Sequence, residues 1–335
     1  MKGESIIRIT VLAFMVLALA LTPVSGKAAE WPDKKVEYRI ISGPEGSFGY
    51  MATTVLAKIL TDNIKNFAAY PEAGGTIKGF RQMASGGLMM TYANTASLEQ
   101  AYGNTGPFEK QPLTGLKPQI GVPVLPFTFF MVAKKGSNLY KMDDLVGKSI
   151  TITTPTYGIF TPAYDVMKAL GLWDQVKPKD VSFADYAGAI AGDIVDSIMI
   201  FTISDSTTAG AIKNLEARID MRALTFTEDQ KKIIKSLPGI GFRETKNIFP
   251  EIKGETIGGW CYYYGYSFSP KANDKLVYEI VKTCYEKREE LAKTSIGFKP
   301  WNTEPKELLK AALSVAPNVP HHPGAARFYK EIGVE

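Results

Sequence analysis

Histidine and cysteine are almost missing from this chain, and their scarcity excludes several chemistries at once. The 335 residues contain two histidines, the adjacent His321 and His322, and two cysteines, Cys261 and Cys284. A catalytic triad needs a histidine placed against a nucleophile, and no Gly-x-Ser-x-Gly elbow appears. Metal sites draw on His and Cys at set spacings, which two adjacent histidines in a proline-rich tail do not provide. No metal, cofactor or catalytic residue is therefore expected. The carboxylate pairs Asp143-Asp144 and Glu289-Glu290 read as helix starts and solvated faces rather than acid–base machinery. A dense basic stripe is also lacking: 39 Lys and Arg against 34 Asp and Glu leave a net charge of +5, scattered along the chain. Nucleic acid is not an expected partner.

Apolar runs long enough to cross a membrane are absent too. Lys2 and Arg8 precede the apolar run Val11–Leu21, followed by Pro23 and the small residues Ser25, Gly26, Ala28 and Ala29. That order predicts a secretory signal peptide over residues 1–28, with an uncleaved anchor as the alternative. The expected location is periplasmic. Export permits a Cys261–Cys284 bridge, and two buried thiols are the alternative.

What the chain does have is alternation of strand and helix. Val36–Ser42 alternates apolar and polar residues as a strand does. Gly43, Gly46 and Gly49 then punctuate a loop, and a helix follows over Tyr50–Asn63. Further units follow in the same order: a strand near Phe67–Pro71, the Gly74-Gly75-Thr76 turn, a helix over Ile77–Ser85 and a strand near Leu88–Tyr92. This pattern predicts a mostly parallel sheet covered by helices. A second strand–loop–helix unit begins at Ser149, its helix running to Leu172, with a further strand marked by Phe183. Two long buried strands, near 122–134 and 256–268, bracket this second unit and suit paired crossings between two α/β lobes. Residues 217–256 read as polar and turn-rich, and the C-terminus as helical.

Strand–glycine–helix junctions expose backbone N–H groups at the positive end of a helix, a place that suits a carboxylate or phosphate. Ser47 and Tyr50 sit at the first junction; Thr76, Asn94 and Thr95 follow later strands, at the ends where α/β sheets present ligands. Turn and cap chemistry is the plain alternative for each. Arg81 is a possible counter-charge or an exposed helical charge. Tyr50, Tyr92, Tyr157, Tyr186, Tyr262–Tyr264 and Tyr266 cluster near loop–strand junctions, where an apolar ring with a hydroxyl suits a pocket for an organic molecule. Core packing is the alternative for each of them.

The tail Pro320-His321-His322-Pro323-Gly324-Ala325, followed by Arg327, Phe328, Tyr329, Glu331 and Gly333, resembles the closing motif of the TAXI-type substrate-binding proteins of TRAP transporters. The opening glycine loop with Tyr50, the Gly74-Gly75-Thr76 turn, Gly106-Pro107-Phe108 and Leu145-x-Gly147-Lys148 are similar in order. The resemblance implies an α/β fold of the periplasmic-binding-protein type II kind, with two α/β lobes joined by a two-strand hinge. Residues 30–124 and 258–335 would form one lobe and 125–257 the other. It implies a small-molecule carboxylate in the cleft between lobes, delivered to TRAP transporter membrane permease subunits without catalysis. A ligand-sensing periplasmic partner of a signalling receptor is the alternative. Carried over by position, the contacts are Ser47, Tyr50, Thr76, Asn94, Thr95, Tyr157 and Gly158. Where the family has Gln-Ser-Asp this chain has Asn94-Thr95-Ala96, and for Gly-Ser-Gly-Thr it has Thr156-Tyr157-Gly158-Ile159. Without that aspartate an α-ammonium group has no partner, so an organic acid lacking the amino group, or one with a more apolar body, is expected rather than glutamate.

Overall fold

Two strands of unusual length carry the architecture. The structure, a computed structural model, describes residues 34–335 except 156–157, 205–206, 209 and 251. The expected leader over residues 1–28 and the candidate Tyr157 lie outside the described residues. The strands are β1 (Val36–Ser42), β2 (Phe67–Ala73), β3 (Met90–Asn94), β4 (Gln119–Lys134), β5 (Ser149–Thr151), β6 (Lys177–Pro178) and β7 (Ser197–Ile203). Five more follow: β8 (Thr207–Thr208), β9 (Met221–Ala223), β10 (Gly241–Lys246), β11 (Ile252–Lys253) and β12 (Thr256–Phe268). Together they form one twelve-stranded sheet with the path β2-β1-β3-β12-β4-β7-β5-β6. The fold class is mixed α/β, of the type II periplasmic-binding kind.

β4 and β12 pair antiparallel along most of their length, from Trp260 opposite Phe129 to Phe268 opposite Gln119. Each reads as an unbroken apolar or aromatic run because both of its faces are buried. β1, β2 and β3 are mutually parallel and join this ribbon through β3, whose Asn94 faces Tyr264 and whose Met90 faces Phe268. β7 joins the other side of the ribbon, with Ser197 opposite Ala133 and Ile203 opposite Phe127. β3 therefore runs toward Leu125 from one end, while β7 runs toward Phe127 from the other. Their carboxyl ends meet on either side of Pro126, separated by the two ribbon strands, about 14 Å at the usual strand spacing.

The helices that matter here are α1 (Phe48–Asn63), α2 (Thr76–Ala84), α3 (Thr95–Gly103) and α4 (Phe160–Ala169), each following a strand. α1 starts two residues earlier than its periodicity suggests, because Ser47 caps it and Gly49 lies in its first turn. Phe183 is not in a strand: Phe183–Asp185 is a 3-10 turn leading into the helix Tyr186–Ala191, closed by a 2.6 Å bond from the Ser182 hydroxyl to Asp185. The turn-rich stretch 217–256 contains the helix Glu228–Ser236 and the strand β10, which pairs with β12. Cys261 and Cys284 are both buried and form no disulfide bridge. Among the described residues no helix is long and apolar enough to cross a membrane.

The motif at the tail is used to fasten the last helix, Pro323–Glu331, to the body. His322 is fully buried; its Nδ1 accepts the Gly324 N–H, and its Nε2 lies 3.2 Å from the Ala272 carbonyl. The Tyr329 hydroxyl donates to the carbonyl of Gly121, at an irregularity in β4. Tyr278, on the helix Asp274–Glu286, donates to Glu331 at 2.6 Å and lies beneath the Arg327 guanidinium. A Cβ on Gly324 would stand 2.2 Å from the Asp274 carbonyl oxygen, so that helix pair closes only around glycine.

Candidate functional site

Pairing places residues of one parity on one face, so the register of the ribbon decides what surrounds the meeting point of β3 and β7. Tyr92 and Asn94 of β3, Tyr262, Tyr264 and Tyr266 of β12, Phe127 and Phe129 of β4, and Phe201 of β7 share that face. The rings form a continuous layer. Tyr92 stacks on Tyr264 with centroids 4.9 Å apart and planes 11° apart, and Tyr264 lies 4.9 Å from Phe127. Phe127 stacks on Phe201 at 5.8 Å. Phe48, from the first turn of α1, stands edge-on to Phe127 at 6.1 Å, and Phe183 stands edge-on to Phe201 at 5.5 Å.

Burial along this layer is uneven. Trp260, Phe129 and Tyr262 are fully enclosed, whereas Tyr92, Phe127, Phe201 and Tyr264 keep 5–7% of their surface open. These four rings border the place where the two strand ends converge. No side chain named on this face carries a charge. Its polar groups are neutral: the Asn94 amide and the tyrosine hydroxyls. Burial pushes the hydroxyls of Tyr92 and Tyr262 well above their ordinary range, and that of Tyr264 up to about 12 with the Asn94 side chain offsetting part of the rise. All three stay protonated at neutral pH.

Three buried polar groups on this face have no partner: Asn94 Nδ2, the Tyr262 hydroxyl and Trp260 Nε1. Asn94 is 1% exposed, and its Oδ1 caps α3 by accepting the Ser97 N–H at 2.8 Å, which turns the amide nitrogen the other way. The Tyr264 hydroxyl feels that amide without a well-aligned hydrogen bond to it. A buried donor left open costs about 1–3 kcal/mol, so each such group calls for an explanation, and a ligand oxygen supplies one.

Four of the residues expected from sequence gather around Tyr92. Ser47 caps α1, its hydroxyl accepting the Tyr50 N–H at 3.2 Å, so both lie at that helix's N-terminus. Gly49 presses against the Tyr92 ring so closely that a Cβ there would stand 2.7 Å from Cε1. Thr76 begins α2 and donates to the Tyr92 carbonyl at 3.3 Å, and Asn94 follows two residues later on β3. Because β1, β2 and β3 are parallel, α1, α2 and α3 all start at the same edge of the sheet.

Thr95 sits elsewhere. Its buried hydroxyl donates to the Gly239 carbonyl at 2.7 Å and accepts the Tyr263 N–H at 3.2 Å. It extends the β3–β12 ladder by one hydrogen bond on the opposite face. Gly158 is exposed ahead of α4, with open space around its Cα. On the same approach Thr153, with φ +84°, is 1% exposed and its hydroxyl is unpartnered; a β-branched residue rarely adopts that conformation. Arg81 donates to the Gln111 carbonyl at 2.6 Å and lies over Phe108, so it secures a loop. Sequence reasoning passed over Phe127 and Phe201, which look like ordinary members of apolar strands. Their parity with the tyrosines of β12 emerges only from the pairing register.

A sheet whose parallel strands approach a central antiparallel ribbon from both ends is the fold of the type II periplasmic binding proteins. The structure resembles a putative sulfonate ABC transporter periplasmic sulfonate-binding protein SsuA from Methylobacillus flagellatus KT, at 14% identity and a TM-score of 0.53, covering 91% of this chain and 97% of that one. It also resembles XAC2383 from Xanthomonas citri, solved with ATP, at 8% identity and a TM-score of 0.51, covering 83% and 96%. The model of the NMT1-like family matches residues 40–333, and the chain belongs to that family.

Proposed function

We propose that this protein is an extracytoplasmic solute-binding protein that captures a small carboxylate and hands it to a membrane transporter, without catalysis. The observation that carries this reading is the aromatic face where β3 and β7 converge, with the buried Asn94 amide unpartnered beside it. A carboxylate oxygen satisfies that donor, and the starts of α1, α2 and α3 add backbone N–H groups and favourable dipole ends. The name of the SsuA relative, a transporter's periplasmic binding protein, supports the same class of role.

The finer reading follows the sequence resemblance. The transporter is of the TRAP type, the protein is exported to the periplasm, and residues 30–124 with 258–335 close against residues 125–257 around the β4–β12 ribbon. Closure is a population shift driven only by contacts that improve in the closed state. Ser47, Tyr50, Thr76 and Asn94 contribute from one lobe, and Tyr157 with Gly158 from the other; Thr95 supports the site from behind. Among the described residues the strands of the aromatic face offer no anionic side chain to an ammonium group, and non-amino acids are preferred to glutamate.

Thermal unfolding of the mature protein against a panel of organic acids and amino acids tests this. A ligand that binds only the folded state adds roughly 2.7 kcal/mol at a hundredfold excess over its dissociation constant. Shifts with non-amino carboxylates and weaker ones with glutamate are expected. Glutamate binding as tightly as its non-amino counterpart overturns the ligand reading, and a protein stabilised only by cations overturns carboxylate capture.

A further inference from the structure

The largest residual openings along that face fall on rings, with Ile203 beside them at 4%. Tyr92, Tyr264, Phe127 and Phe201 are each 5–7% exposed, while the flanking Phe129, Trp260 and Tyr262 are closed. The open edges belong to rings that already pack in stacked or tilted geometry, with centroids 4.9–5.8 Å apart, and Phe48 and Phe183 close the two ends edge-on. A surface built this way presents alternating ring faces and edges. It rewards another ring, whose quadrupole can join the series, more than an aliphatic chain of equal bulk. Among the described residues the unpartnered polar atoms on the face are neutral, Asn94 Nδ2, the Tyr262 hydroxyl and Trp260 Nε1, and none of the strand side chains on it is charged.

We infer that the solute is an aromatic carboxylate, its ring stacked along Tyr92, Tyr264, Phe127 and Phe201 and its carboxylate held by the Asn94 amide. This rests on the aromatic face being the solute site. Bulk hydrophobicity alone predicts the opposite order within a matched pair, because a cyclohexyl ring removes at least as much apolar surface from water as a phenyl ring. The pair therefore separates ring recognition from greasiness.

The test is calorimetric titration of the mature protein with benzoate, 4-hydroxybenzoate, cyclohexanecarboxylate, succinate and benzyl alcohol. Benzoate or its 4-hydroxy derivative is expected to bind about tenfold more tightly than cyclohexanecarboxylate, the size of one favourable ring–ring contact. Succinate and benzyl alcohol are expected to bind more weakly still. Cyclohexanecarboxylate binding equally or better overturns the aromatic inference while leaving carboxylate capture intact. Benzyl alcohol matching benzoate overturns the carboxylate half. Binding of succinate alone overturns the inference and upholds the general reading, and no binding by any of the five overturns the inference, the broad panel then deciding the general reading. Tyr264→Leu should remove the phenyl-over-cyclohexyl preference and keep the cyclohexyl affinity within threefold; equal loss for both ligands counts against stacking. Should that variant fail to fold, Phe201→Leu reads the same preference.

Discussion

Replacing Thr95 with valine separates a scaffold role from a ligand role at a residue adjacent to the site. The two side chains have nearly the same shape, so the substitution removes one hydroxyl and opens little space. That hydroxyl is 2.7 Å from the Gly239 carbonyl and 3.2 Å from the Tyr263 N–H, and Thr95 is 2% exposed. Neither partner has an obvious substitute. Tyr263 faces Pro126 across the ribbon, and the Pro126 carbonyl already accepts the Ser204 N–H at 2.9 Å. Gly239 sits at φ +76°, where a Cβ would come within 2.5 Å of the Ala96 Cα and the Thr95 carbonyl, so the loop has no room to shift. Each buried group left open costs about 1–3 kcal/mol, and together they cost ~3 kcal/mol. Unfolding entropy of about 2.1 cal/mol/K per residue over roughly 300 residues turns this into a midpoint lowered by ~5 °C. Thr95→Ser keeps the hydroxyl and should recover most of the loss. Differential scanning fluorimetry measures the midpoint, and calorimetry at a temperature where both proteins are folded should show unchanged ligand affinity. A Thr95→Val midpoint within one degree of wild type would refute the reasoning.

His322 is neutral and buried, with Nδ1 accepting a backbone N–H, and burial lowers its pKa despite Asp274 3.9 Å away. Its contribution to stability is therefore complete above the unfolded value of 6.5 and declines as pH falls through the lower folded value; the midpoint drop between pH 7.5 and 5 should shrink in His322→Asn, which caps the helix without titrating. Asp165 accepts the Gln100 amide at 2.7 Å, yet burial raises its pKa, so its ionised form opposes folding at neutral pH. Asp165→Asn should raise the midpoint at pH 7, with the gain fading toward pH 3.8, and a lower midpoint at pH 7 would contradict this.

Much of the frame was legible because its patterns are local. β1 alternates over seven residues, and β4 and β12 are long apolar runs, so each announces itself without its neighbours. β10 escaped notice because it borders β12 with polar residues Arg243, Glu244 and Lys246, and its one large apolar side chain, Phe242, sets no period. The site was legible at its helix starts, where Ser47 and Asn94 cap α1 and α3 and Thr76 opens α2. Its aromatic layer was not. Phe127 and Phe129 occupy a run that is apolar on both parities, so only the partner's register shows that they share a face with the tyrosines of β12. Asn94 and Thr95 show the same limit in two consecutive residues: both are buried and polar, but one points an unpartnered amide toward the tyrosines and the other secures the back of the sheet.

The central claim is that the Asn94 amide meets the solute's carboxylate at the convergence of β3 and β7. Asn94→Asp tests it most directly, since aspartate caps α3 as well as asparagine does but offers an oxygen where the donor stood. Calorimetric titration of the tightest carboxylate from the panel into both proteins should show affinity falling tenfold or more, about 1.4 kcal/mol or greater, with Asn94→Asp still folding cooperatively. Equal affinity in the two proteins would place the solute elsewhere and contradict the account.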